Sequence, residues 1–529
     1  MKKLLLPLLA TITVACGGRP DAWDARTSVP VEDVGLSGSV AIVDSPLDRV
    51  MMLTSPSGQN LSATPLKVGK NVVATSASPD REKLFVLSKG VQPRRKPDDE
   101  RPSLTVIDGG INPKVDARYT LTDPLQGLAI DPQGEWAVVY DAGGIVVNPN
   151  ELILVKLDGT SEPFPKTIRS FGGRPERLTF TTELEVPNGE PRRFLIVETE
   201  QDVTLVDLSD LTRDEVTIIL PQTPSGKAGR PLSVAYHDGE PDDPSDARIA
   251  VRLASDSNVV IVELGAPAAG DTKPFKPTVN VADVGGVPSD IAFVQTDGGL
   301  RLAALVPSAQ QATLVDPATT VIETVDLKKA YTRLTRVTDD VADKPVKSDV
   351  ALLWSDSTTG IAFWSLGKTS GTPFRSVDPY DIGISVASVQ NVPGDKYAHL
   401  KILESASAAE FYVLDLDQRQ SFPMLTNAPG FDLTVSPDGE RAWALRPGTP
   451  DFASISLSDL HPTSLEVERN VVAVHDFERA DGGRAVIALH ASTAGDDAHG
   501  ALGATVLDGL APDTARSKFF PGLLLGGLQ

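Results

Sequence analysis

Short apolar runs, each closed by an acidic or polar residue, recur along almost the whole chain. Clear copies are Leu104-Thr-Val-Ile-Asp108, Val203-Thr-Leu-Val-Asp207, Ala312-Thr-Leu-Val-Asp316, Phe411-Tyr-Val-Leu-Asp415 and Ala504-Thr-Val-Leu-Asp508. Looser copies begin at Val50, Leu152, Val259, Ile361 and Ala453, which makes ten, spaced by about fifty residues. A second series runs out of phase with the first: Pro175-Glu-Arg-Leu-Thr-Phe180, Pro231-Leu-Ser-Val-Ala-Tyr236, Pro288-Ser-Asp-Ile-Ala-Phe293 and Gly430-Phe-Asp-Leu-Thr-Val435. Turn signals follow such segments, as in Ser78-Pro79-Asp80, Asp131-Pro-Gln-Gly134 and Ser436-Pro-Asp-Gly439, and each leads into another β-rich run. Runs of four to six residues rich in Val, Ile, Leu and Thr, bounded by Gly, Pro and Asp, are strands, and no amphipathic helix of three turns interrupts them.

Each unit therefore holds about four short strands. A sheet of that size cannot cover both of its own faces. Successive sheets packed face to face around an axis solve the problem, so the pattern predicts an all-β propeller of eight to ten four-stranded blades. Two smaller propellers in tandem are the alternative, although no long Ser/Gly linker divides the repeats. The first copy has no obvious inner strand. The charged loop Arg94-Arg-Lys-Pro-Asp-Asp-Glu-Arg101 falls inside a repeat, and its nearly cancelling charges suit a solvated connection.

The Ser436-Pro-Asp-Gly439 turn, followed by Arg441-Ala-Trp-Ala-Leu445, resembles the WD40-like and YVTN-type repeats of bacterial envelope proteins. So does the stretch from Val40-Ala-Ile-Val-Asp-Ser45 through Asp48-Arg-Val-Met-Met-Leu53 to Lys67-Val-Gly69. The resemblance covers roughly residues 38–529 and implies the propeller fold. The blades do not end in the Trp-Asp dipeptide of eukaryotic WD40 repeats.

Met1-Lys2-Lys3 precedes an apolar run from Leu4 to Val14. As a helix that run would reach roughly 16 Å, against a bilayer core about 30 Å thick, so it suits a secretory signal rather than a membrane span. Thr13-Val14-Ala15-Cys16 contains the single cysteine of the chain and resembles the bacterial lipobox, departing from it at Thr13, where that family usually has leucine. The resemblance implies cleavage before Cys16 and lipid on its sulfur and amine, an anchor worth about 0.8 kcal/mol per buried methylene. It divides the chain into a signal peptide over 1–15, a flexible tether over 16–37 and a propeller over 38–529. Glycine at position 17 then favours the outer membrane of the cell envelope.

Charge and cysteine usage remove several functions. With 49 basic and 71 acidic residues the net charge is −22, so no nucleic-acid partner is expected. One cysteine excludes an intrachain disulfide and a thiolate metal cluster. The six histidines show no zinc-binding spacing, and no nucleophile elbow, phosphate loop or dinucleotide loop is present. Neither a cofactor nor a metal is expected from these motifs, although remote residues can still meet in a propeller. The acidic loop from Asp238 to Asp246 lacks calcium-loop spacing and reads as an exposed turn.

One set of positions stands out by register. Arg177, Ser233, Asp290, Arg333 and Asp432 each lie just before the apolar core of an inner strand, where a propeller channel meets solvent. They form a candidate binding ring. The leading expectation is a membrane-tethered, non-catalytic scaffold for a protein, peptide or glycan partner. A propeller hydrolase or lactonase is the alternative, and it would need carboxylates and a histidine or metal at the channel mouth. The anchor makes its own prediction: Cys16→Ser should release the protein from membranes, read as transfer from pellet to supernatant after fractionation. A variant that stays in the pellet after a high-salt wash would contradict lipid anchoring.

Overall fold

The computed structural model describes residues 32–143, 148–187, 189–222, 229–239, 246–337, 350–367, 375–394, 396–407, 410–424, 432–446, 448–490 and 503–520. Cys16 and residues 1–15, read above as a signal peptide, lie outside them. Forty strands form ten four-stranded antiparallel sheets, each made of four consecutive strands in chain order. We number these blades I to X: 32–67, 72–120, 127–167, 177–219, 231–283, 290–326, 333–380, 386–423, 432–466 and 471–520. Among the described residues, the only helical segments are single 3-10 turns.

All ten recurrent apolar runs are the third strands of blades. The out-of-phase series are first strands: Arg177–Leu184, Pro231–His237, Asp290–Thr296 and Asp432–Val435. First strands lie innermost. They approach one another across neighbouring blades, as where Ser289 Oγ donates to Thr332 O at 2.9 Å. Fourth strands lie outermost and are largely exposed, as in Lys114–Thr120 and Lys276–Asp283. Blade I does have an inner strand, Glu32–Gly35. It precedes residue 38, where the repeat pattern places the start of the propeller. It is short and only half-buried, so it carries no apolar signature.

Middle strands are buried on both faces, and the two-residue period of a strand sends alternate side chains to opposite neighbours. In Val40–Asp44 of blade I, Val40 and Ile42 pack with blade X, whereas Ala41 and Val43 pack with blade II. In Arg192–Glu198 of blade IV, Phe194 and Ile196 face blade V while Leu195 and Val197 face blade III. Ten apolar clusters result. They join every consecutive pair of blades from I–II to IX–X, and the last joins X back to I. An open row of ten blades would have nine such interfaces. Two tandem propellers would close within the series rather than at its ends. The chain is one ten-bladed ring.

Each sheet is continuous in sequence, so among the described residues no strand is exchanged to clasp the ring. Side chains do this work instead. Phe477, Ile487 and Val506 of blade X meet Ile42, Met51 and Leu53 of blade I. His475 Nε2 lies 2.6 Å from Asp33 Oδ2, and Arg479 donates to Gly58 O at 3.2 Å. Gly35 lies so close to His475 that an added Cβ would stand 2.7 Å from the imidazole Nδ1.

The polar punctuation of the repeat is local turn chemistry. The aspartate that closes a third strand accepts from backbone N–H groups of the following hairpin: Gly110 on Asp108, Ser209 on Asp207, Ala318 on Asp316, Gln418 on Asp415 and Leu510 on Asp508, at 2.9–3.0 Å. The Ser-Pro-Asp turns use serine as well: Ser78 and Ser436 accept from Lys83 N at 2.9 Å and Arg441 N at 3.0 Å. Acids of the turns between first and second strands also pin the next blade, where Arg193 reaches Asp131 at 2.7 Å and Arg484 reaches Asp438 at 3.4 Å. The 94–101 stretch lies in the loop between the second and third strands of blade II and is mostly exposed.

Ring closure predicts equal energetic weight at the seam and in the interior. Ile487→Ala at the X–I seam and Ile261→Ala at the V–VI interface should each cost about 2–5 kcal/mol, in one cooperative transition of the whole propeller domain measured by denaturant unfolding. A seam variant that loosens only the terminal blades would contradict closure.

Candidate functional site

Antiparallel pairing sets the end of a second strand beside the start of the first. Arg177 therefore pairs with Glu198, and Ser233 with Arg252. A bulge between Pro231 and Ser233 shifts the blade V register by one residue, which brings Ser233 level with Arg177. Asp290 and Arg333 open the inner strands of blades VI and VII.

These positions converge around the contiguous blades IV to VII. Arg177 Nη1 lies 3.3 Å from Glu198 Oε2 and also donates to Leu232 O on blade V. Arg252 donates from Nε to Ser233 Oγ at 2.9 Å and from Nη1 to Pro288 O at 3.2 Å. Asp290 accepts from Leu334 N and Ile291 N, each at 3.0 Å, and so ties blade VI to blade VII. The Arg333 guanidinium makes no hydrogen bond or ion pair among the described residues, and the residue is exposed.

Burial and charge act against each other in this cluster. Burial pushes the Glu198 carboxyl above its usual range, and Arg177 and Arg252 pull it back only in part. Burial likewise raises Asp290, opposed by its bond from Leu334 N and by the nearby Arg333. Arg252 is lowered by burial, against the attraction of Asp290. Glu198 Oε1 is buried and accepts no hydrogen bond among the described residues. The result is three guanidiniums interleaved with the buried Glu198 carboxylate and the half-buried Asp290, with Arg177 and Arg333 reaching solvent.

Four of the five candidate ring residues are thus brought together. Asp432 opens its own inner strand in blade IX and is exposed, but no hydrogen bond or ion pair joins it to the other four. Glu198 and Arg252 escaped sequence reasoning because they close second strands, away from the repeating Pro-x-x motif. The antiparallel register was the signal that could have found them.

The loop leading into blade IV adds an apolar element on the same face. Ser170 Oγ and Phe171 N donate to buried Asp202 at 2.9 and 2.6 Å, which holds the loop while Phe171 stays 72% exposed. Nearby, Arg230 makes a two-pronged pair with Glu176 through Nη2, at 2.8 and 2.9 Å. No histidine among the described residues takes part in the cluster. Of the acidic loop considered for calcium, residues 240–245 lie outside the described residues.

No family model and no curated protein matches the sequence. Solved structures are similar at low identity. A structure of a eukaryotic initiation factor is 10% identical with a TM-score of 0.44, over 94% of this chain and 98% of that one. The Pan2 WD40 domain of Neurospora crassa is 13% identical with a TM-score of 0.33, over 60% and 84%. Dipeptidyl peptidase 4 of Porphyromonas gingivalis is 9% identical with a TM-score of 0.38, over 88% and 65%. The propeller fold rests on the chain's own ten sheets.

The raised carboxyls predict a pH dependence. A carboxyl whose folded pKa exceeds its unfolded value contributes stability present below the unfolded pKa and lost as pH rises through the folded one. Glu198→Gln should therefore raise the melting temperature relative to wild type at pH 8, and the gap should shrink by pH 5. A gap that widens on acidification would contradict the buried, disfavoured carboxylate.

Proposed function

We propose that the protein is a lipid-tethered, non-catalytic binding module of the cell envelope, held at the outer membrane through Cys16, whose channel mouth receives an anionic group of a protein or peptide partner. The carrying observation is the cluster of Arg177, Arg252 and Arg333 across neighbouring blades, two of its guanidiniums open to solvent on a chain of net charge −22. On such a chain, this island draws a partner's carboxylate to one place and disfavours other approaches. The backbone carbonyls of Leu232 and Pro288 and the carboxylates of Glu198 and Asp290 support preorganisation, because they hold the donors before a partner arrives. Phe171 supplies an exposed aromatic anchor of the kind that carries binding energy at interfaces.

The test is a paired pull-down from detergent-solubilised envelope with the lipidated wild-type chain and with Arg177→Ala/Arg333→Ala. The wild type should retain a stoichiometric partner. The double variant, checked for an unchanged melting temperature, should bind it at least about tenfold more weakly, since a hydrogen bond to a charged group is worth about 1.5–3 kcal/mol. Equal recovery by both proteins would overturn the reading.

A further inference from the structure

Five blades close the third strand with an aspartate, and they differ in what faces it: among the described residues, Asp108 of blade II and Asp415 of blade VIII have no arginine partner. In blades IV, VI and X that aspartate has an arginine partner: Arg192 on Asp207 at 2.8 Å, Arg301 on Asp316 at 3.4 Å and Arg479 on Asp508 at 3.2 Å. Asp415 of blade VIII has none among the described residues. It is only 8% exposed, and one oxygen accepts from Gln418 N at 2.9 Å. The other oxygen makes no hydrogen bond or ion pair among the described residues. Beside Asp415, blade VIII sets His399 and a second carboxylate, Asp417. One ligand atom from each of His399, Asp415 and Asp417 lies within 4.8 Å of the other two.

The fold brings these three together. His399 precedes the second strand, Leu400–Ser405, and Leu400 pairs with Asp415 at the end of the third, Phe411–Asp415. Leu416 N donates to His399 O at 3.0 Å, tying the turn that carries His399 to the hairpin that carries Asp417. Arg419, with φ of +52°, completes that tight hairpin, but its guanidinium turns away to Asp378 at 3.7 Å and to the Phe363 ring. Two carboxylates and an imidazole therefore converge, and among the described residues no lysine or arginine pairs with either carboxylate. They stand at the end of the blade opposite the channel-mouth cluster.

We propose that His399, Asp415 and Asp417 bind a divalent transition-metal cation of the zinc type. One nitrogen and two carboxylate oxygens suit such an ion with its remaining positions filled by water. Calcium takes six to eight oxygens and no imidazole, and magnesium keeps an octahedron of oxygens, so neither fits this donor set. The ion would give Asp415 the counter-charge that arginine gives Asp207, Asp316 and Asp508, and staple the two turns of blade VIII together.

Calorimetric titration of the full chain, first stripped with chelator, tests this with zinc chloride alone and with calcium chloride as the contrast. Wild type should bind one zinc ion at this site and gain melting temperature, with no comparable response to calcium. His399→Gln and Asp417→Asn should each weaken zinc binding at least tenfold and remove the thermal gain. Asp417 is exposed on a hairpin, so its variant should keep the wild-type melting temperature in chelator. Zinc isotherms unchanged in both variants, or a wild type that neither binds nor is stabilised at tenfold excess zinc, would overturn the site.

Discussion

The fold depends on one constraint: the middle strands of every blade are apolar on both faces, so each blade requires two neighbours. Val40 and Ile42 cannot be covered by blade II, which already takes Ala41 and Val43. Their cover comes from the far end of the chain, through Phe477 and Ile487. Local contacts build each sheet, but only closure of the ring buries the last two faces. Exposure of either face would leave a contiguous apolar patch of the size that drives association.

Closure places the charged groups. With ten inner strands set side by side, residues at equivalent positions become neighbours although they lie about forty to sixty residues apart in sequence. Arg177, Ser233, Asp290 and Arg333 meet for that reason. At the opposite end of blade VIII, the same antiparallel register sets His399 beside Asp415. One end of blades IV to VII thus carries three guanidiniums beside two carboxylates, and blade VIII carries two carboxylates with a histidine, paired with no lysine or arginine among the described residues.

Much of this is legible in the sequence because it is written in local chemistry. The apolar run of the third strand recurs once per blade, so its ten copies count ten blades, and in five of them the closing aspartate accepts from its own hairpin. The inner-strand register of Arg177, Ser233 and Asp290 could be read from the segments opening with proline. Less legible is whatever depends on partners distant along the chain. Glu32–Gly35 is too short and too polar to show a strand pattern alone. Glu198 and Arg252 gain meaning only from the strands beside them. His399 precedes Asp415 by sixteen residues, a spacing with no helical or loop motif behind it. Asp432 shares the register of the cluster, yet lies on blade IX, beyond reach of the charges on blades IV to VII.

Native-state hydrogen exchange tests the closed ring most directly. If blades X and I cover each other, amides of Val40–Asp44 and Arg484–His490 should exchange as slowly as those of interior second strands such as Arg192–Glu198 and Arg248–Leu253, all through global unfolding. Protection that falls progressively toward both terminal blades, with Val40–Asp44 and Arg484–His490 opening independently of the rest, would contradict it.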